Sequence, residues 1–452
     1  MDRSNRRFHV IVLSNFARGF NKYALAYGKA GIPESTYPDR FHLLTRAELG
    51  IGIGKARRLL DRLAIPGNRL LVLETTVDPD ILVPNVSTGL GTELHEASIR
   101  LSAVHELDTV LDSETGGDEF ALRPTTVEDA MAASLHLHGS ALRRYADLRP
   151  RSVSLLPVAS ACQARCSFCF SSASISSDQP PARVPWDAVA SWLESARAAG
   201  AKRAVITGGG EPTLLPFDQQ LRLVSACSAA FPKVVLITNA HTLAKGEHSD
   251  VADRLAALGT AGLSVLAISR HHQDDAVSER LMMLRTPVDA VVETWRRDRD
   301  RWPGLRMRLI CVLQQGGVAD ATGVADYLSW AVAHGVEEVC FKELYVSTST
   351  ESLYFDRAAN VWSREHQVSL SVVTRFAEQY GFELASRLPW GAPVYDGSWD
   401  GRPMRIAAYT EPSLLWERTH GVVRSWNVMA DGRCYASLED RASEIVPESV
   451  AA

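Results

Sequence analysis

Between residues 151 and 380, short apolar runs alternate with amphipathic stretches, and this alternation restricts the chain more than any other feature. The runs Ser152–Val158, Ala204–Thr207, Lys233–Thr238, Gly262–Ser269, Arg306–Leu313 and Glu337–Leu344 each have a short apolar centre, a pattern of strands in a largely buried sheet. Candidate helices lie between them at Trp186–Ala199, Pro216–Ala230, Asp250–Leu258, Pro287–Arg301 and Gly323–His334, with Ser363–Tyr380 after the last strand. Such a pattern predicts an α/β fold, a parallel sheet covered by helices. In sheets of this kind, functional side chains gather at the carboxyl ends of the strands and in the loops after them.

The first strand runs into Cys162-Gln163-Ala164-Arg165-Cys166-Ser167-Phe168-Cys169, three thiols within eight residues of a chain that has seven Cys. Close thiolates are soft ligands that favour iron–sulfur clusters or zinc. A structural zinc site needs a fourth Cys or His at finger spacing, and no Cys or His follows until Cys227. Three Cys leave one iron of a [4Fe–4S] cube without a protein ligand, open to a substrate or cofactor. The second strand breaks into Thr207-Gly208-Gly209-Gly210-Glu211-Pro212. Glycines let backbone approach a ligand closely, and a carboxylate accepts from an ammonium group.

The C-x3-C-x2-C spacing and the Gly-Gly-Glu turn after the next strand resemble the signature of the radical S-adenosylmethionine (radical SAM) enzymes, with a barrel similar to the molybdenum-cofactor cyclase branch. The resemblance implies a partial (β/α)6 TIM-like barrel over 151–380. It also implies one [4Fe–4S] cluster on Cys162, Cys166 and Cys169, and S-adenosylmethionine bound through the fourth iron. Phe168, Gly209, Gly210 and Glu211 would then contact the cofactor. Thr238-Asn239 resembles the Thr-Asn-Gly that closes the third strand in the family, and Ser269 stands where a polar residue meets the ribose or carboxylate. Gln314, at the end of the fifth strand, is a further candidate contact. Arg270, His271 and Glu343, at the ends of strands four and six, are the expected catalytic or substrate-binding groups. Cys311 and Cys340 sit in apolar runs and read as packed small hydrophobes.

The flanks are less regular. A chain of 452 residues suggests two or three domains. Residues 1–150 carry strand-like Phe8–Leu13 and Arg69–Thr76 and helical stretches at Arg46–Leu63 and Val127–Leu148. This is the mark of an N-terminal α+β domain for substrate or partner contact, without the regular alternation of a cobalamin module. Within it Leu49–Leu60 resembles a helix-hairpin-helix element, and His136 and His138, two apart on a helix, cannot face one metal. Residues 381–452 form a small capping segment with a hairpin at Asp431-Gly432. Its lone Cys434 cannot hold an auxiliary cluster.

Composition sets further limits. The net charge of −5 supplies no basic field for nucleic acid. No apolar run reaches the length of a membrane span, and the one at Phe8–Leu13 is too short for a secretory signal. An odd number of Cys, three of them in one motif, indicates a reducing cytoplasm. The resemblance implies an enzyme that cleaves S-adenosylmethionine reductively, with a flavodoxin or ferredoxin as electron donor, and abstracts hydrogen from a substrate. The polar strand ends and single cluster suit a small polar natural-product intermediate such as an amino sugar, cyclitol or nucleoside, undergoing dehydration, epimerisation or oxidation. Two alternatives are a maturase of a ribosomally made peptide, with 1–150 binding its leader, and a non-catalytic iron–sulfur or zinc interaction protein.

Overall fold

The structure is a computed structural model. It describes the strands at 8–15, 23–26, 43–44, 68–75, 103–107 and 122–125, and residues 143–446 apart from 179–183, 286, 347–351, 355, 369, 391, 413–416 and 419–420. In the N-terminal part β1 (Phe8–Asn15), β2 (Tyr23–Ala26), β3 (Leu43–Leu44), β4 (Asn68–Thr75), β5 (Ala103–Leu107) and β6 (Leu122–Thr125) form an antiparallel sheet in the order β2-β1-β4-β5-β6, with β3 on β1. The expected strands there are present. The expected helices at 46–63 and most of 127–148, the hairpin-helix element and the His136/His138 pair lie outside the described residues.

After the short β7 (Arg149–Pro150), the six expected strands appear as β8 (Val153–Leu156), β9 (Ala204–Ile206), β10 (Val234–Thr238), β11 (Val265–Ser269), β12 (Arg306–Leu313) and β13 (Glu338–Glu343), all mutually parallel. The helices between them are α1 (Trp186–Ala198), α2 (Phe217–Ala230), α3 (His248–Thr260), α4 (Asp275–Met282), α5 (Val288–Asp298) and α6 (Ala321–Ala333). Pro185, Pro216 and Pro287 stand at the N-caps of α1, α2 and α5, and side-chain caps set the starts of α3, α4 and α6. Asp274 Oδ1 accepts from Val277 N at 3.1 Å, Asp320 Oδ1 accepts from Gly323 N at 2.8 Å, and Glu247 and Asp250 form a capping box on α3. The single helix expected at 363–380 is two, α7 (Ala358–Glu365) and α8 (Ser371–Gln379).

Alternation along each strand divides its side chains between two environments. Leu155, Ile206, Leu236, Leu266, Leu309 and Phe341 face the helices and pack with Leu193, Leu223, Leu255, Val291 and Leu328 in the main core. Val205, Val235, Ile237, Val265, Ala267 and Ile310 form a separate, smaller cluster on the inner, concave side. The inner side is the lumen of the partial barrel.

The residues beyond 380 do more than cap. They supply β14 (Glu383–Arg387), β15 (Pro393–Trp399), β16 (Arg402–Tyr409), β17 (Val422–Val423), β18 (Trp426–Met429), β19 (Cys434–Tyr435) and β20 (Glu444–Ile445). Two of these are parallel barrel strands, β16 on β13 and β18 on β8. The sheet order is β14-β15-β16-β13-β12-β11-β10-β9-β8-β18-β19-β20, so eight parallel strands stand where six were expected. β16 and β18 occupy opposite ends of that parallel run and do not pair with each other. Side chains bridge them instead. Glu411, just past β16, accepts from Lys342 Nζ on β13 at 2.6 Å and meets Arg424 Nη1, just before β18, at 2.6 Å. The hairpin expected at Asp431-Gly432 joins β18 to antiparallel β19, with Gly432 at φ +90° and Cys434 buried in the core.

Candidate active site

The three Cys occupy the loop after β8, at the carboxyl end of the first barrel strand, and each is half-buried. Three neighbouring segments hold this loop. Gly210 N donates to Val158 O at 2.7 Å and Glu211 N to Ala161 O at 2.8 Å, so the glycine turn after β9 zips onto it. Asn239 Nδ2 after β10 reaches Gln163 Oε1 at 3.3 Å and Cys162 Sγ at 3.8 Å. Arg165 N donates to Met282 O at the end of α4 at 2.9 Å, and the Cys166 thiol lies 3.9 Å from the same carbonyl.

Burial pushes the Cys166 thiol up to about 12, with Cys169 and Cys162 adding to the effect, and burial also raises Cys162. Both are therefore thiols at neutral pH, and a bound metal must displace their protons. Among the described residues no three Cys, His, Asp or Glu side chains converge at coordinating distance. The Cys162 and Cys166 sulfurs turn instead toward Asn239 and Met282. As a donor set, three soft ligands on one loop with no acidic or imidazole competitor suit an iron–sulfur cluster.

The glycine turn has a structural explanation that sequence reasoning missed. A Cβ on Gly209 would lie 1.9 Å from Ala159 O and 2.4 Å from Ser176 Cβ, and one on Gly210 would lie 2.1 Å from Ala161 O. These glycines are required by the approach of the Cys loop itself. Glu211, 3% exposed, is the keystone. Its Oε1 accepts from Thr213 N at 3.0 Å, Thr213 Oγ1 at 2.6 Å and Thr238 Oγ1 at 2.6 Å, and its Oε2 accepts from Asn239 N at 2.8 Å. A carboxylate has about four acceptor sites, two per oxygen, so only Oε2 retains capacity for a further donor.

The expected polar ring divides according to strand parity. Ser269, at the end of β11, has the lumenal parity of Val265 and Ala267. Arg270 follows the helix-facing residues Leu266 and Ile268. Its guanidinium, 2% exposed, meets Asp275 at 2.7 Å, Asp289 at 3.3 Å and Gln273 O at 2.8 Å, and lies 4.0 Å from the Trp330 ring centroid. It holds α4, α5 and α6 to the barrel and does not line the mouth. Glu343 shares the parity of Val339 and Phe341, so the register puts it on the helix-facing side too, and its neighbour Lys342 faces the lumen.

His271 remains at the mouth. Its Nδ1 accepts from Val312 N at 3.1 Å, ending the β11–β12 ladder, and burial lowers its pKa to about 4. The ring is neutral, with the proton on Nε2. Phe168 stands edge-on to it at 5.2 Å and tilts against Trp362 of α7 at 5.9 Å. Gln314, fully buried and of lumenal parity, donates from Nε2 to Val312 O at 3.3 Å, while its Oε1 has no hydrogen-bond partner. Trp362 was not foreseen, although a Trp four residues before a His (His366, stacked on it at 3.8 Å) is a helix-face signal.

The radical SAM superfamily model matches residues 156–313, from the end of β8 to the end of β12. Residues 156–313 form a radical SAM domain. Members of this superfamily are enzymes that use a 5′-deoxyadenosyl radical, with S-adenosylmethionine and a [4Fe–4S] cluster as cofactors. No curated protein matches the chain. Among solved structures, Streptococcus suis SuiB bound to S-adenosylmethionine is 15% identical with a TM-score of 0.39, and the match covers 69% of this chain and 63% of that one. Coproporphyrinogen III oxidase (HemN) from Escherichia coli is 16% identical over 53% of this chain and 55% of that one, at a TM-score of 0.33. A radical SAM methyltransferase from Sphaerobacter thermophilus is 15% identical over 74% and 79%, at 0.35. Among the described residues no helix is long and apolar enough to cross a membrane.

Proposed function

We propose that the chain binds one [4Fe–4S] cluster through Cys162, Cys166 and Cys169, cleaves S-adenosylmethionine reductively and removes hydrogen from a small polar substrate. The observation that carries this reading is the bonding of the Cys loop, the Gly209–Glu211 turn and the end of β10 into one unit. The bound cluster and S-adenosylmethionine supply the one-electron reduction and the radical. The protein supplies placement and exclusion of water. Glu211 Oε2 offers its remaining acceptor site to the methionine ammonium, and Asn239 supplies an amide N–H beside the Cys162 sulfur.

On the substrate side, neutral His271 offers an Nε2–H donor and Gln314 an acceptor. Such a pair suits a hydroxyl or amino group on an amino sugar, cyclitol or nucleoside in a natural-product pathway. The reaction would be a dehydration, epimerisation or oxidation. A flavodoxin- or ferredoxin-type donor would provide the electron, and the seven free thiols suit a reducing cytoplasm.

The test is anaerobic reconstitution followed by iron analysis and chromatography of 5′-deoxyadenosine. About four irons per chain are expected, falling sharply in Cys162→Ala, Cys166→Ala and Cys169→Ala, but not in Cys227→Ala or Cys434→Ala. Equal loss of iron in the last two variants would refute the ligand set.

A further inference from the structure

The pole of the barrel opposite the Cys loop is cationic. Arg203 and Lys233 immediately precede β9 and β10, and Arg308 lies near the start of β12. All three share the lumenal parity of Val205, Val235 and Ile310. Lys342 enters the same lumen from β13, and Arg424 approaches from the segment before β18. Five cationic side chains thus line one space against two carboxylates, Glu338 and Glu411. Both of those are already engaged: Glu338 accepts from Arg308 Nε at 2.8 Å, and Glu411 bridges Lys342 and Arg424. Burial would raise the Glu411 carboxyl, but the two cations outweigh it and hold it down at about 2. Burial pushes nearby Glu417 up to about 8, so it adds no full negative charge at neutral pH.

The excess falls on Arg203 and Lys233. Arg203 Nε is buried without a hydrogen-bond partner. Burial, together with repulsion from Arg308, Arg424 and Arg151, disfavours the charged form of Arg203. Burial and the Arg308 and Arg203 charges act the same way on Lys233. Like charges drawn together in excess of their counter-ions are a cost that folding tolerates only if something offsets it. Both side chains remain partly accessible to solvent, so an anion can reach them.

We propose that this N-terminal pole of the barrel is a binding site for a phosphate or diphosphate group, centred on Arg203 and Lys233 and flanked by Arg308 and Arg424. Guanidinium forks recognise phosphoryl oxygens bidentately, and an ammonium adds a point charge. An excess of about three positive charges matches a diphosphate better than a monocarboxylate. The site lies at the far end of the lumen from the Cys loop and is independent of the radical chemistry.

Titration of the full-length protein with inorganic diphosphate at low ionic strength tests it, by calorimetry and by thermal unfolding. Saturable binding near one per chain and a raised Tm are expected. Lys233→Gln, at a half-buried position, should weaken binding at least tenfold, and Arg203→Gln should do the same. Iron content and S-adenosylmethionine affinity should not change in either variant. Absence of saturable binding, or equal affinity in both variants, overturns the proposal. So does a rise in Tm on removing either cation with no diphosphate response in the parent, because the cluster would then be only a repulsive strain. If Arg203→Gln does not fold, Lys233→Gln alone decides.

Discussion

Substitution of Glu211 by Gln isolates the keystone of the site. The geometry fixes how the amide must sit. Its oxygen takes the Oε1 position to keep Thr213 N, Thr213 Oγ1 and Thr238 Oγ1, which places Nε2 where Asn239 N–H now donates across 2.8 Å. Two donors then face each other in a buried setting. The charge-assisted bond that is lost contributes about 1.5–3 kcal/mol, and a buried N–H left unsatisfied costs about 1–3 kcal/mol. A destabilisation of about 3 kcal/mol follows, or a fall in Tm of about 6 °C for a domain of this size. The assay is thermal or urea unfolding of the cluster-free protein without S-adenosylmethionine, so that only the protein's own hydrogen bonds are read. Separately, equilibrium dialysis on the reconstituted protein should show S-adenosylmethionine affinity down roughly ten- to a hundredfold from the lost ammonium contact. A Tm change within about 1 °C, against the expectation above, would refute the keystone role, whatever happens to the affinity.

Gly209→Ala should abolish iron incorporation and lower soluble yield, since its Cβ would lie 1.9 Å from Ala159 O; iron analysis with circular dichroism checks both. Arg270→Met should lose about 2 kcal/mol of stability from a cation–π contact and two solvent-screened ion pairs, with S-adenosylmethionine affinity unchanged. A stable variant with altered ligand binding would restore Arg270 to the mouth. Because the folded pKa of His271 is lowered to about 4, the unfolded chain takes up the proton first. Its contribution is complete above about pH 6.5 and is lost as pH falls toward 4, about 3 kcal/mol in all. In His271→Asn, the acid limb of the stability–pH curve between these values should flatten.

The six central strands were legible because each has a short apolar centre flanked by turn or helix signals, and Arg306–Leu313 was bounded to the residue even though Arg306 and Arg308 lie within it. The late barrel strands were not. From Met404 onward the burial of Arg402–Tyr409 alternates, and its exposed positions are Arg402, Pro403 and Arg405, so it reads as a surface hairpin partner even though one edge completes the barrel. The two-helix break after Glu365 was hidden because apolar spacing continues across it. The Cys loop and the glycine turn were visible as motifs, but the reason for the glycines is a contact between two loops, which a linear sequence does not display. Arg270 and Glu343 were misplaced for a simpler cause. A strand end was located correctly, and the alternation that sends adjacent residues to opposite faces was not carried to its last position.

The pairing of β18 with β8 has a consequence for how the protein is made. Ser154 and Ser425, which share a 2.8 Å hydrogen bond, are 271 residues apart. At about 5–20 residues per second, the ribosome needs roughly 15–50 s to deliver the second after the first. Throughout that interval β8, the strand that leads directly into the cysteines, has one open edge. A nascent chain therefore presents its thiols before the barrel wall beside them exists, and iron delivered early would meet a half-built loop. Cluster loading is expected to follow release of the chain, and truncations ahead of Trp426 should yield protein that aggregates along the β8 edge and retains little iron.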